Sequence, residues 1–326
     1  MKKKPVIAIT MGDPGGIGPE IILKSLKAFP LDGSFYLSLI GSKSVFQFAA
    51  KRSKLSFKPH FISSINPKLM RERSLNFFDL PSKGKQFEIG KVSRVNGLLS
   101  FESLKIAARE AARGKVQAIV TAPIHKKAVR LVKPGFTGHT EYLAETAGKK
   151  EFAMLFYSDF FCVTLVTIHL ALKDVSKKIK ASDITSKIKL THQFLKSKLR
   201  IQKPKIAVAC LNPHGEEFGT EERHVIVPGV KKAKRFGIRV EGPLPGDQVF
   251  HDAYEKRFDA VIAMYHDQGL APFKMIAFER GVNVTIGLPY VRTSPDHGTA
   301  FDIAYQNKAN PTSFLESLRL AKKITR

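Results

Sequence analysis

Residues 259–269 read DAVIAMYHDQG, an uninterrupted apolar run that ends in Tyr265, His266 and Asp267. Two other stretches repeat the plan: VTLVTIHL at 163–170 carries His169, and KIAVACLNPH at 205–214 ends on His214. Apolar runs without polar alternation are the mark of parallel strands covered on both faces. In open α/β sheets, ligands bind beyond the carboxyl ends of the strands, so three histidines at three such ends predict one convergent site. Neutral imidazoles suit a borderline divalent ion such as Zn²⁺ or Co²⁺. Asn212 and Glu216 around His214, and Asp267 and Gln268 after His266, are groups able to hold those rings in the liganding tautomer.

Working outward, strand-like runs alternate with amphipathic ones. PVIAIT (5–10) precedes EIILKSLKAF (20–29), SFYLSLIG (34–41) precedes KSVFQFAAKR (43–52), and SLKIAAREAARG (103–114) precedes QAIVTAPI (117–124). Such alternation implies a mostly parallel sheet covered by helices. At 326 residues the chain exceeds what one core usually supports, so two domains are expected. No linker marks the division, which is placed near residue 129, with the tail after about 290 returning to the first domain. The stretch from 51 to 97, with Pro59, Pro67 and Pro81, reads as irregular.

Lys plus Arg number 54 against 28 Asp plus Glu, a formal charge of +26. A polyanion-binding protein is therefore one reading, yet the lysines are scattered, with short runs only at 2–4 and 231–235. No aromatic residues interleave with them as a nucleic-acid module would require. What the charge favours is an anionic small molecule. Cys162 and Cys210 both lie in apolar runs, where cysteine behaves as a small hydrophobe, so reduced core thiols and a cytoplasmic protein are expected. Neither a signal peptide nor a membrane span is expected.

MGDPGGIGPEII (11–22) follows the first strand and opens a helix, but its spacing is not GxGxxG, and a structural turn is as good a reading. GHTEYLAETAG (138–148) offers a helix start at which Thr140 caps and His139 faces an anion. Downstream, Lys274, Asn283 and Arg292 are groups able to grip phosphate or carboxylate.

Together these blocks resemble the 4-hydroxythreonine-4-phosphate dehydrogenase family of vitamin B6 biosynthesis. MGDPGGIGPE, TAPIHK, GHTEYLA, LNPHGEE, GPLPGDQVF, YHDQGLAPFK and NVTIGLPYVRTSPDHGTAFDIA follow one another in family order across nearly the whole chain. The chain departs from the family pattern at Gly16, in a trimmed LNPHGEEFGTEE segment, and at Tyr305, Gln306 and Asn307, where small residues are usual.

The resemblance implies an α/β fold of two α/β/α domains, of isocitrate/isopropylmalate dehydrogenase-like type, with an active-site cleft between them. Residues 1–128 plus 290–326 would form the cofactor-side domain, and 129–289 the metal, substrate and dimerisation domain. His169, His214 and His266 would bind one divalent metal ion (Zn, Co or Mg). His139, Thr140, Lys274, Asn283 and Arg292 would contact the phosphorylated substrate. DHGTAFDIAYQNKANP (296–311) resembles the adenine loop of the isocitrate and isopropylmalate dehydrogenases, making His297, Gly298, Asp302 and Asn310 candidates for NAD or NADP. The active site would be shared across a homodimer.

The implied reaction is NAD(P)-dependent oxidation of 4-phosphooxy-L-threonine to 2-amino-3-oxo-4-phosphooxybutanoate, which decarboxylates to 3-amino-2-oxopropyl phosphate. Asp247 and Asp267 are candidates for accepting the alcohol's proton. The nearest rival is a dehydrogenase of the same family acting on 4-phosphoerythronate or threonate 4-phosphate.

Overall fold

The computed structural model describes residues 4–81 and 86–325, so Lys2 and Lys3 of the basic N-terminal run lie outside the described residues. The chain separates into two compact units, Met1–Lys150 with Leu288–Arg326, and Glu151–Gly287. The divisions fall at 150/151 and 287/288 where the sequence suggested 128/129 and 289/290. The first shift has a packing cause: α4 (Lys126–Arg130) and α5 (His139–Thr146) both pack on α3 (Arg94–Ala112), a helix of the first unit.

In the first unit β1 (Val6–Thr10), α1 (Gly18–Ala28), β2 (Tyr36–Gly41), α2 (Lys43–Arg52), β3 (His60–Ile62), β4 (Leu75–Asp79), α3 and β5 (Ala118–Thr121) lead into α4 and α5. The second unit runs β6 (Ala153–Tyr157), β7 (Cys162–Leu165), α6 (Leu172–Lys178), α7 (Ala181–Ser197), β8 (Lys205–Ala209), α8 (Val227–Lys234), β9 (Arg239–Leu244), α9 (Gly246–Tyr254), β10 (Ala260–Ala263), α10 (His266–Ala277) and β11 (Val282–Ile286). β12 (Val291–Pro295) and α11 (Thr312–Thr325) then complete the first.

Strands of the first unit lie in the order β3-β4-β2-β1-β5-β12, all parallel. Val6 and Ala8 on one face of β1 pack with Leu104, Ala107, Ala108 and Ala111 of α3. Ile7 and Ile9 face the other way by strand alternation and are equally sealed, which is why the strand reads as one apolar run.

The second unit orders its strands β11-β6-β7-β10-β8-β9. The stretch β7-β10-β8-β9 is parallel, while β6 runs antiparallel to both β7 and β11. Val163, Leu165, Ala207, Val261 and Ala263 meet Val249 and Phe250 of α9 and Leu270 and Phe273 of α10. Phe273 is fully buried; closing such a side chain off from water contributes about 1.5–3 kcal/mol.

Candidate active site

Because β7, β10 and β8 are adjacent and parallel, their carboxyl ends lie along one edge of the second unit, and the loops leaving them carry His169, His266 and His214. His266 is the first residue of α10, and its Nδ1 lies 2.7 Å from Asp267 Oδ1. A carboxylate there holds the proton on Nδ1 and leaves Nε2 as the donor to a metal. The rings of His169 and His266 are 6.2 Å apart between centroids. With metal–nitrogen bonds of roughly 2.1 Å, two imidazoles sharing an ion have centroids about 5–6 Å apart, a little closer than this pair.

His214 is held differently. Its backbone is left-handed (φ 51°, ψ 18°), a region non-glycine residues enter at a cost of about 1 kcal/mol or more. The loop is pinned by Glu222, which is fully buried: Oε1 accepts from the backbone N–H groups of Leu211 (2.8 Å) and Asn212 (2.9 Å), and Oε2 from the Asn212 amide (2.9 Å). The His214 ring packs beside Phe218, 6.2 Å between centroids. Among the described residues no three His, Cys, Asp or Glu side chains close around a common point, so the trio shares an edge without forming a finished metal cage.

Three of the expected helpers serve elsewhere. Asn212 is committed to Glu221 and Glu222, and exposed Glu216 pairs with Arg223 at 3.0 Å. Gln268 is a strut: its Nε2 donates to the Cys210 carbonyl (2.6 Å) and its Oε1 accepts from Met264 N–H (2.7 Å), tying the ends of β8 and β10 together. A cavity of about 690 Å³ opens here, lined by His214, Asp247, Tyr265, Asp267, Gln268 and Cys210 among others. Burial, with Glu222 and Asp247 nearby, pushes the Cys210 thiol up to about 11, so it stays protonated and inert. Lys274 sits on the last turn of α10 with its ammonium 5.9 Å from the Phe278 ring centre. Asn283, on β11, keeps its side-chain oxygen buried with no hydrogen-bond partner among the described residues.

The first unit holds a second polar cluster. Arg292 on β12 is 3% exposed, and its Nη2 donates to Thr121 Oγ1 at 2.9 Å. Burial lowers its pKa to about 10 against the opposing pull of Glu141 and Tyr290, so it remains a cation at neutral pH. His139 has a buried Nε2 without a partner among the described residues. Burial first, then Arg292 and Lys126, hold its pKa well below the usual value, so the ring is neutral. Lys126, which the sequence did not single out, thus joins the cluster. Thr140 does not cap α5: the cap is Gly138, in extended backbone, and the helix begins two residues earlier than expected. Two cations around a neutral imidazole with an unfilled nitrogen are groups able to take an anion.

Of the nucleotide candidates, His297, Gly298 and Asp302 are exposed on the segment after β12, and a Cβ added at Gly298 would meet open space. Asn310 is occupied: its Oδ1 accepts from Thr312 N–H (2.9 Å) and Thr312 Oγ1 (2.6 Å) at the start of α11. Tyr305 and Asn307 have φ of 60° and 61°, a left-handed backbone that glycine enters most easily. Tyr305 is held in place by donating to the Pro14 carbonyl and by packing on Phe48 and Phe87. The MGDPGG glycines answer to backbone crossings: a Cβ at Gly12 would lie 2.4 Å from Pro123 O, at Gly15 2.3 Å from Glu88 O, and at Gly16 2.6 Å from Thr299 O. The structural-turn reading holds for them. Sequence reasoning passed over Asp13 in that loop, a fully buried carboxyl signalled only by an acid inside a glycine turn at a strand end.

Known proteins bear on this arrangement. A family model described as "Pyridoxal phosphate biosynthetic protein PdxA" matches residues 35–321. The chain is 40% identical over 324 residues to 4-hydroxythreonine-4-phosphate dehydrogenase of Sulfurihydrogenibium sp., covering 98% of each chain. It is 39% identical over 322 residues to D-threonate 4-phosphate dehydrogenase of Salmonella typhimurium, again covering 98% of each. The solved structure of 4-hydroxythreonine-4-phosphate dehydrogenase from Klebsiella pneumoniae superposes with a TM-score of 0.88 at 37% identity, covering 99% of this chain and 100% of that one. Fold and full-length similarity agree: the chain belongs to the PdxA family of pyridoxal phosphate biosynthetic proteins.

Proposed function

We propose that the protein is an NAD(P)-dependent, metal-dependent dehydrogenase that oxidises 4-phosphooxy-L-threonine to 2-amino-3-oxo-4-phosphooxybutanoate, the precursor of 3-amino-2-oxopropyl phosphate. The observation that carries the reading is the delivery of three histidines to one sheet edge by adjacent parallel strands, with Asp267 setting the tautomer of one of them. His169, His214 and His266 would hold the ion. A bound divalent cation acts as a Lewis acid, making a coordinated hydroxyl more acidic and polarising a carbonyl. A bound nicotinamide would supply the hydride acceptor.

The chain's own groups supply the rest. Arg292, Lys126 and neutral His139 receive the anionic end of the substrate, and Thr140, Lys274 and Asn283 add polar contacts. Asp267 is engaged by His266, so of the two carboxylates Asp247, which lines the cavity with His214, is the better proton acceptor. His297, Gly298 and Asp302 serve the cofactor; Asn310 does so through its backbone, its side chain being taken up by Thr312.

A homodimer sharing the active site accounts for the large apolar side chains exposed on the second unit, Met275 (91%), Phe278 (74%), Phe218 (68%) and Leu172 (67%). Buried Cys162 and Cys210, which form no disulfide among the described residues, suit the cytoplasm. No helix among the described residues is long and apolar enough to cross a membrane.

The second reading is D-threonate 4-phosphate oxidation, favoured by the near-equal identity to relatives of either name. NAD(P)⁺ reduction, measured with metal-stripped and metal-reloaded protein on 4-phosphooxy-L-threonine, D-threonate 4-phosphate and 4-phosphoerythronate, separates them. Turnover that ignores metal removal on all three would overturn both.

A further inference from the structure

The order β3-β4-β2-β1-β5-β12 contains a topological switch: from β1 the chain builds outward through β2, then returns to lay β5 on the other side of β1. Ligand crevices of open parallel sheets form where two neighbouring strands send their connections in opposite directions. Here the two loops are 11–17 and 122–125, joined by the Asp13 N–H donating to the Pro123 carbonyl at 2.9 Å. Each carries an unfilled buried atom. Asp13 is 0% exposed; its Oδ1 accepts from Gly15 N–H at 2.8 Å, while Oδ2 has no partner among the described residues. His125 Nδ1 is likewise buried without one.

The third strand-end segment, 296–304, closes on the same place. Thr299 O accepts from Ile17 N–H at 2.9 Å, and the Phe301 ring stacks on the His125 imidazole at 5.1 Å and 17°. That segment also bears His297, Gly298 and Asp302. Buried polar groups are normally satisfied, and two orphans in apposed loops at a switch point are what a ligand would complete. A carboxylate excludes phosphate and asks for a neutral donor. Burial raises the Asp13 carboxyl to about 6, opposed by the Gly15 and His125 backbone N–H groups.

We propose that Asp13 and His125 are cofactor-binding residues, accepting hydrogen bonds from a ribose hydroxyl or the carboxamide of the nicotinamide nucleotide; this rests on the dehydrogenase reading above. The test is fluorescence titration of the full chain with NADH and NADPH at pH 8, comparing the parent with Asp13→Asn and His125→Gln. Asparagine keeps an oxygen for the Gly15 contact and removes the charge. Losing a charge-assisted hydrogen bond should raise the cofactor Kd roughly tenfold or more in Asp13→Asn, and roughly threefold or more in His125→Gln. The KM of the phosphorylated substrate should stay within about twofold, a split that general disruption of the fold would not produce. Folded variants that bind both nucleotides as the parent does would overturn the assignment, with His125→Gln deciding if Asp13→Asn does not fold. A parent protein that binds neither nucleotide would instead remove the dehydrogenase reading itself.

Discussion

The polar groups of the two units are prepared in opposite ways. In the first, Arg292 is 3% exposed and Asp13 is fully buried, with Nε2 of His139 sealed beside the arginine. In the second, the His266 side chain is 44% exposed, and His169 and His214 lie on exposed loops. On the roles proposed above, the contrast follows from what each group would meet. An anion is best gripped by charges already desolvated and held rigid, because the protein then spends nothing on reorganisation when the ligand arrives. Metal ligands must instead be reached by a hydrated ion, and their geometry is completed by the ion itself.

The largest effect that would sharpen this contrast lies in the exposed set. Alanine at His169, His214 or His266 should lower metal-dependent kcat/KM by at least about 10³-fold while far-UV circular dichroism is unchanged, since exposed loop side chains carry little of the core. Metal content by elemental analysis should fall in parallel; full metal occupancy in a triple variant would break the comparison. Next comes Arg292→Met, for which substrate binding should weaken by roughly 2–5 kcal/mol, because a desolvated cation is lost from its anion. An unchanged KM would remove the arginine from the site.

Asp13 tests the buried set through stability. Its carboxyl is raised from 3.8 to about 6 in the folded protein. A raised carboxyl stabilises the fold below the unfolded value, and that contribution is lost as pH climbs through the folded one. Above pH 6 the buried anion therefore costs roughly 3 kcal/mol. Asp13→Asn should be more stable than the parent at pH 8 by up to about that amount, and little different at pH 4, as read from denaturant midpoints. Equal stability at both pH values would mean the carboxyl is better solvated than its burial implies. The smallest effect belongs to Asp267→Asn, which should weaken metal affinity about 10- to 100-fold by releasing the His266 ring while leaving it as a ligand. A metal titration showing no change would make that contact incidental.

The α/β class was legible in the sequence because strands such as VIAIT and AVIA are sealed on both faces and so carry no polar alternation. The strand-end position of the three histidines was legible for a related reason, each standing where an apolar run stops. Their helpers were not. Asp267 could be read because it is adjacent to His266, but Asn212 and Glu216 were misassigned: which way a loop side chain turns depends on Glu222 and Arg223, partners set by the path of the following segment. The edge expected near 129 differs from the unit division at 150/151 for the same reason. Nothing local announces that α4 and α5 pack on α3.

By itself the sequence determined the alternating strand and helix plan, the family, and the residue types able to hold a cation and an anion, because these follow from periodicity and from short motifs read in order. Only the tertiary structure decided that Gln268 is a strut, that Lys126 stands by His139, that the glycines of MGDPGG serve backbone crossings, and that Asp13 and His125 present unfilled atoms in apposed loops. The physical reason is that burial and hydrogen-bond satisfaction belong to pairs of segments distant along the chain, and no window of sequence contains both members of such a pair.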